Sequence, residues 1–250
     1  MFHLEISDSG HPGKPIAVTD DKRFVYLMEG EGDTCISDPG VKFFPLPEMD
    51  PKKGNRLAIL GPSGVGKSYF SVKYVDALMD IYTDFPLYII CADPDDDNYD
   101  KLKEAHPRRV KFLSVSKDRA ESWSQKTTDD FTGSIVIMDD LMSNPDKELK
   151  NIFLRLRDNI LENGRKKYVQ LICVDHVMFD NLNTKRLLNE SSALVMFPGA
   201  GTYHPEIFLN KRMSIPPKKC KEILNLRSRW IYIYKCFPFY YIYENGVGIV

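Results

Sequence analysis

The sequence predicts an α/β fold in which a mainly parallel central sheet is flanked by helices. Two patterns carry that expectation. The strand candidates are short continuous apolar runs rather than alternating ones, as in strands covered on both faces, and stretches of helical periodicity separate them. The tail is different in kind. Trp230–Tyr234 and Phe239–Tyr243 are aromatic and β-prone, and Lys235-Cys236-Phe237-Pro238 between them makes the pair read as a C-terminal β-hairpin.

The elements follow in chain order. Residues 1–23 carry Gly10, Pro12, Gly13 and Pro15 with little apolar periodicity, which predicts a loose arm before a short strand over 24–28. Leu57–Leu60 is the first buried strand. Phe70, Tyr74, Ala77, Leu78 and Ile81 recur at i, i+4, i+7, i+8 and i+11, so the spacing predicts a helix over 69–82. Further strands are expected over 87–91, 110–113 and 135–138. Asn144-Pro145 reads as the N-cap and first residue of a helix over 145–163, with Leu149, Ile152, Phe153, Leu156 and Ile160 as its apolar stripe and Gly164 as its stop. Strands over 169–174 and 194–197 complete the series, with a helix over 183–189 between them. The expected organisation is an N-terminal arm and short strand over 1–53, a core over 54–200 and a C-terminal extension over 201–250.

Composition narrows the function classes. The 250 residues are 43% hydrophobic and 28% charged, an ordinary soluble globular balance. A chain of this length buries about three-quarters of the surface it exposes unfolded, so it needs no disulfide staples. Five cysteines, an odd number without CxxC or zinc spacing, predict reduced thiols in an intracellular compartment. The start of the chain has neither the basic nor the apolar stretch of a secretory signal, and no run of eighteen apolar residues predicts a membrane span. Lys and Arg number 34 against 35 Asp and Glu, a formal net charge of −1. Any nucleic-acid contact is therefore expected to be local. An acidic knot (Asp93, Asp95, Asp96, Asp97) and basic ones (Arg108-Arg109-Lys111, Arg165-Lys166-Lys167, Lys218-Lys219-Lys221) stand out against that balance.

One motif carries chemistry outright. Gly61-Pro62-Ser63-Gly64-Val65-Gly66-Lys67-Ser68 matches G-x-x-x-x-G-K-[ST] at every fixed position, between the 57–60 strand and the 69–82 helix. By residue frequencies alone the match arises in about one chain in a hundred of this length. Glycines let the backbone curl so that successive N–H groups face a phosphate, and the helix N-terminus adds partial positive charge. Lys67 is expected on the β- and γ-phosphates of ATP and Ser68 on Mg²⁺, with Tyr69 closing the cofactor-binding stretch. The run Ser134-Ile135-Val136-Ile137-Met138-Asp139-Asp140 supplies the matching acids. Asp139 is the metal-side carboxylate, together with Ser68. Asp140 stands where many ATPases orient the attacking water with a Glu, one methylene longer.

Weaker features surround these. Val174-Asp175-His176 ends the next strand on the same edge, which makes His176 a candidate sensor of the γ-phosphate or the water. Arg165 follows the 145–163 helix, a place from which one subunit of a ring offers an arginine to its neighbour's nucleotide. Arg155, Arg157 and Arg186 compete for that role. No N-K-x-D follows the P-loop, which speaks against a guanine-specific GTPase, and no LSGGQ-like signature precedes Asp139, which speaks against an ABC-type ATPase.

The motif order resembles that of the FtsK–HerA superfamily, specifically the genome-packaging ATPases of large eukaryotic DNA viruses, virophages and their relatives. The resemblance covers roughly residues 54–200 and rests on the P-loop, Asp139-Asp140, Gly164-Arg165 and Arg186-Leu187-Leu188-Asn189 before the last apolar strand. It departs at two places: His176 replaces the usual Gln or Asn, and Lys166-Lys167 follow Gly-Arg where a His is common. The resemblance implies a RecA/FtsK-like P-loop NTPase fold and an ATP- and Mg²⁺-dependent motor. By the same resemblance the motor assembles as a homo-oligomeric ring, hexamer or pentamer, and threads double-stranded DNA without regard to sequence into a preformed capsid. Capsid proteins are then partners, and the host cytoplasm, the viral factory or the virion is its place. Arg108, Arg109, Lys111, Lys166 and Lys167 are the candidate phosphate contacts.

Two other readings share the P-loop. One is a kinase of a nucleoside or other small molecule, which needs an acceptor pocket and an Arg-rich lid such as 108–119. The other is a nucleotide-gated assembly protein with slow turnover, against which the intact Lys67, Ser68, Asp139 set argues.

Overall fold

The beginning of the chain is ordered rather than loose. The computed structural model describes residues 1–8, 10–91, 97–141, 144–176, 181–199 and 205–250. It places strands β1 (Phe2–Ser7), β2 (Lys14–Thr19), β3 (Phe24–Glu29), β4 (Cys35–Ser37) and β5 (Phe43–Pro45) in the first 45 residues. Antiparallel pairing in the order β1-β3-β2-β5 buries Leu4, Ile16, Ala17, Val25 and Leu27. The Gly and Pro residues that suggested an arm have other duties. Gly10 turns the chain at φ 75°, and a Cβ on Gly13 would lie 2.1 Å from the Met28 sulfur. A register shift between Pro15 and Ala17 breaks the period-2 pattern that would otherwise mark β2.

The chain forms two compact units, Met1–Pro47 with Ser192–Val250, and Glu48–Ser191. The second unit carries the parallel sheet. Its strands are β6 (Arg56–Leu60), β7 (Leu87–Cys91), β8 (Val110–Ser114), β9 (Ile135–Asp139) and β10 (Gln170–Asp175). They lie in the order β6-β10-β9-β7-β8, every neighbouring pair parallel. Strand β10 therefore sits between β6 and β9. Leu57, Ala58, Ile59 and Leu60 are all essentially buried, as continuous apolar strands require.

Helices α1 (Lys67–Ile81), α2 (Asp97–Ala105), α3 (Ala120–Ser124) and α4 (Lys147–Asn163) connect these strands, and α5 (Asn181–Glu190) follows β10. Of the acidic knot, Asp93, Asp95 and Asp96 lie outside the described residues, and Asp97 opens α2. Helix α1 buries Phe70, Ser71, Tyr74, Val75, Leu78 and Met79, so the stripe is turned slightly from the expected one and leaves Ala77 and Ile81 half-buried. The cap of α4 also differs from expectation. Asp146, not Asn144, is the N-cap, and its carboxylate accepts from the N–H groups of Glu148 and Leu149. Asn144 instead accepts from Asp146 N, a turn that delivers the chain to the cap. At the other end Gly164 stays right-handed at φ −58°, and a short 3-10 turn carries on to Lys167. Tyr168, at φ 58°, is the residue that leaves it.

A buried polar knot aligns the starts of β6 and β10. Gln170 Oε1 accepts from Asn55 N at 2.7 Å and from Asn55 Nδ2 at 2.9 Å, while Asn55 Oδ1 accepts from Tyr74 on α1. Asn55 and Gln170 are buried, and such groups stay folded only when fully bonded.

The remainder of the first unit holds β11 (Ala193–Met196), α6 (Pro205–Met213), α7 (Pro217–Leu224), β12 (Ile231–Tyr234), β13 (Tyr240–Tyr243) and β14 (Gly246–Ile249). The expected aromatic hairpin is β12–β13, with Tyr232 opposite Ile242. Strand β14 extends it and pairs antiparallel with β4, Gly246 opposite Ser37. Tyr232, Tyr240, Tyr241 and Tyr243 are buried, so the aromatic tail is core.

Candidate active site

Four segments of the second unit converge where its parallel strands end. The P-loop leaves β6 and is tied to β10 by Gly61 N, which donates to Asp175 O at 3.2 Å. Gly64 and Gly66 take φ of 77° and 101°, left-handed values that a side chain would resist. Gly66 is the N-cap of α1, and no side chain caps that end. The first-turn N–H groups of α1 therefore face the loop as donors, with the helix dipole behind them. No acidic residue lies in that turn to compete for them.

Lys67 is buried under the loop. Its ammonium donates to Pro62 O at 2.9 Å and to His176 Nδ1 at 3.2 Å. Burial pushes its pKa below the ordinary lysine value, while Asp139, Asp140 and Asp175 pull it back up. Ser68 is half-buried and Tyr69 is 62% exposed.

The two acids end β9 differently. Asp139 remains on the strand, in register with Val174 of β10 and Cys91 of β7. Its Oδ2 accepts from the hydroxyl of Tyr99, a fully buried side chain of α2. Asp140 leaves the strand at φ 50°, with its N–H donating to Val174 O. That kink brings its Oδ2 to 3.2 Å from His176 Nε2. The His176 N–H in turn donates to Asp175 Oδ1 at 2.7 Å. Lys67, His176 and Asp140 thus form a chain of contacts, with Asp139 in the electrostatic reach of Lys67. Tyr99 is the site residue that sequence reasoning missed. Its only local signal is an apolar pair with Leu102 in a charged segment.

Arg165 lies apart from this cluster. It precedes β10 and sits at the opposite edge of the sheet, the length of a six-residue strand away, or about 20 Å. It is exposed and makes no ion pair among the described residues. Its competitors are engaged. Arg157 is buried and paired with Asp158 at 2.8 Å, Arg186 bridges Asp158 and Glu162, and Arg155 donates to Ser124 O. Among the basic residues considered for phosphate contact, Arg108, Lys111, Lys166 and Lys167 are exposed. Arg109 is not available in the same way. Its guanidinium caps the chain after α1 by donating to the carbonyls of Met79, Tyr82 and Phe85. Among the described residues no group of three His, Cys, Asp or Glu side chains is placed to hold a metal ion by itself, and no helix is long and apolar enough to cross a membrane.

Known proteins can be set beside this geometry. No family model matches the sequence. Uncharacterized protein V3 of Sputnik virophage is 27% identical over 228 residues, 90% of this chain and 88% of that protein. The cytoplasmic domain of the type VII secretion ATPase EccC from Thermomonospora curvata superposes with a TM-score of 0.51 at 13% identity, over 92% of this chain and 28% of that one. The likeness shows the fold, a mainly parallel central sheet flanked by helices with a P-loop at its strand ends. The genome packaging NTPase B204 of Sulfolobus turreted icosahedral virus 2, bound to AMPPCP, is similar at 14% identity and a TM-score of 0.49, covering 74% of this chain and 94% of that one. The motif order implied a P-loop α/β fold and a likeness to virophage proteins, and both are found.

Proposed function

We propose that this chain is an ATP-hydrolysing motor that moves double-stranded DNA into a viral capsid, working as a ring of identical subunits. The observation that carries the hydrolytic part is the pairing of an uncapped, glycine-turned P-loop with Asp139 across the same sheet edge. The packaging part rests on the motif order and on the virophage relative. Gly61 to Tyr69 cradle the triphosphate, and Lys67 moves onto its β- and γ-oxygens. The donors present suit Mg²⁺, because the Ser68 hydroxyl and the Asp139 carboxylate are hard oxygens and Tyr99 fixes one of the latter. Ser68 and Asp139 would hold that ion, which would supply positive charge against the triphosphate. Arg165 completes the site of a neighbouring subunit, since its own site is a strand length away. Exposed Arg108, Lys111, Lys166 and Lys167 supply sequence-independent contacts to DNA phosphates.

The experiment is steady-state ATP hydrolysis with and without double-stranded DNA at low salt, with Lys67→Ala as the blank. Turnover should rise with DNA and the rise should fade as salt is added. Asp139→Asn should impair Mg²⁺-dependent turnover more than nucleotide binding. Turnover in Lys67→Ala equal to wild type would sink the site, and turnover indifferent to DNA would sink the motor while leaving the ATPase.

A further inference from the structure

Both nitrogens of the His176 ring are engaged, and the chemistry of one partner fixes the tautomer. An ammonium has no lone pair, so at the 3.2 Å contact with Lys67 Nζ the ring nitrogen Nδ1 accepts. The ring proton is then on Nε2, where it donates to Asp140 Oδ2, also at 3.2 Å. Nδ1 therefore faces the P-loop lysine, and Nε2 faces a carboxylate on the side away from it. Asp140 is held in that place by its left-handed backbone and by its N–H on Val174 O. Its carboxylate is one methylene shorter than the Glu found at this place in many ATPases, and it contacts the ring at Nε2. An imidazole standing on a carboxylate makes up the missing reach.

We propose that His176 accepts the proton of the water that attacks ATP, and that Asp140 is the positioning residue that holds His176 in the accepting tautomer. The proposal rests on the ATPase reading above. Without nucleotide, Lys67 occupies Nδ1. When the triphosphate arrives, its oxygens draw Lys67 away, and the Nδ1 lone pair is left facing the γ-phosphate position. A water bonded to Nδ1 attacks the γ-phosphorus. The new O–P bond forms, the bond from phosphorus to the bridging oxygen breaks with its electron pair staying on ADP, and the water's proton passes to Nδ1. Asp140 stabilises the imidazolium until that proton is returned to solvent. Among the described residues, Lys67 on α1 and Asp140 after β9 contact the ring, Asp175 accepts from the His176 backbone N–H, and Asp139 and Asp175 act on Lys67.

The decisive variant is His176→Gln, because a glutamine serves as a phosphate sensor but does not take a proton. Fluorescent-nucleotide binding and kcat against pH are measured for wild type, His176→Gln, Asp140→Asn and the double variant. His176→Gln should bind nucleotide within about threefold of wild type and lose roughly 10²–10⁴-fold in kcat. The acidic limb of the kcat–pH profile should vanish with it. Asp140→Asn offers an amide N–H to Nε2, which drives the ring proton to Nδ1 and removes the acceptor. Its kcat should fall by a comparable factor with His176 still present, and the double variant should be no worse than His176→Gln alone. If His176→Gln keeps kcat within about threefold, or keeps the acidic limb, His176 is a sensor and the proposal is wrong. Wild-type protein that binds ATP without hydrolysing it would instead overturn the ATPase reading, and this proposal with it.

Discussion

The two edges of the parallel sheet satisfy their polar side chains in different ways. At the starts of β6 and β10, Asn55 and Gln170 are buried and bonded at 2.7–2.9 Å to each other and at 2.8–3.3 Å to the backbone of Glu48 and Tyr168. At the other edge Lys67, His176 and Asp140 meet side chain to side chain at 3.2 Å, with His176 and Asp140 about one-third exposed. The first set is closed and has nowhere to go. The second is a chain of contacts that the proposed function has an arriving phosphate reopen. Burial and polarity alone do not separate architecture from chemistry here; the nature of the partner does.

Arg165 lies at the first edge but outside the knot, exposed and without an ion pair among the described residues, and it gives the largest expected effect. Arg165→Ala should lose about 10³-fold in kcat if the residue acts across a subunit boundary. Mixing it with Lys67→Ala subunits, each inactive alone, should restore part of the activity, because some interfaces then pair an intact arginine with an intact P-loop. No recovery at any mixing ratio would return Arg165 to the solvated surface.

Asn55→Leu tests the closed knot. It strips Gln170 Oε1 and Tyr74 of their partner and should destabilise the fold by about 3 kcal/mol. For a chain of this size that is a Tm lower by roughly 6–12 °C. Activity per folded molecule should be unchanged. Tyr99→Phe tests the opposite edge with a smaller effect. Removing one hydroxyl from Asp139 should cost about 1 kcal/mol of stability, and it should raise the Mg²⁺ concentration for half-maximal turnover several-fold. A lowered Tm with an unmoved Mg²⁺ requirement would make Tyr99 a packing residue.

What was legible in the sequence follows the same division between local and distant. The P-loop is eight contiguous residues, and the strand ends bearing Asp139 and His176 are each announced by their own apolar run. The contact between Lys67 and His176 spans 109 residues and depends on β10 lying between β6 and β9, an order that no local pattern states. The same holds for β14 and β4, which pair Gly246 with Ser37. Just before and within β2, Gly13 at a close approach and Pro15 at a register shift look like breaks, because punctuation and bulge look alike in a single sequence. Tyr99 escaped for a third reason. A fully buried aromatic in a segment of Asp, Lys and Glu has no periodic company to mark it.

Asp146 shows that place on an edge is not what decides. It follows β9, the strand that ends in Asp139, yet its carboxylate accepts from backbone N–H groups of Leu149 and Glu148 and faces Lys117 at 3.6 Å. Those bonds, Leu149 N–H first, hold its pKa below the usual carboxylate value. A carboxylate depressed in the folded state contributes stability that is fully present above its unfolded pKa and is lost as pH falls through the folded one. Asparagine is nearly as good a cap but does not titrate, so Asp146→Asn should change Tm little at neutral pH. On acidification wild type, whose charged cap is titrated away, should fall below the variant from about pH 4 downward, so that the two melting curves diverge, with ATP turnover at neutral pH unchanged throughout. Curves that stay parallel would mean that the Asp146 charge does nothing for the cap. A loss of turnover in Asp146→Asn would mean that closed, backbone-directed contacts on this edge also serve the chemistry, and the division between the two kinds of polar group would fail.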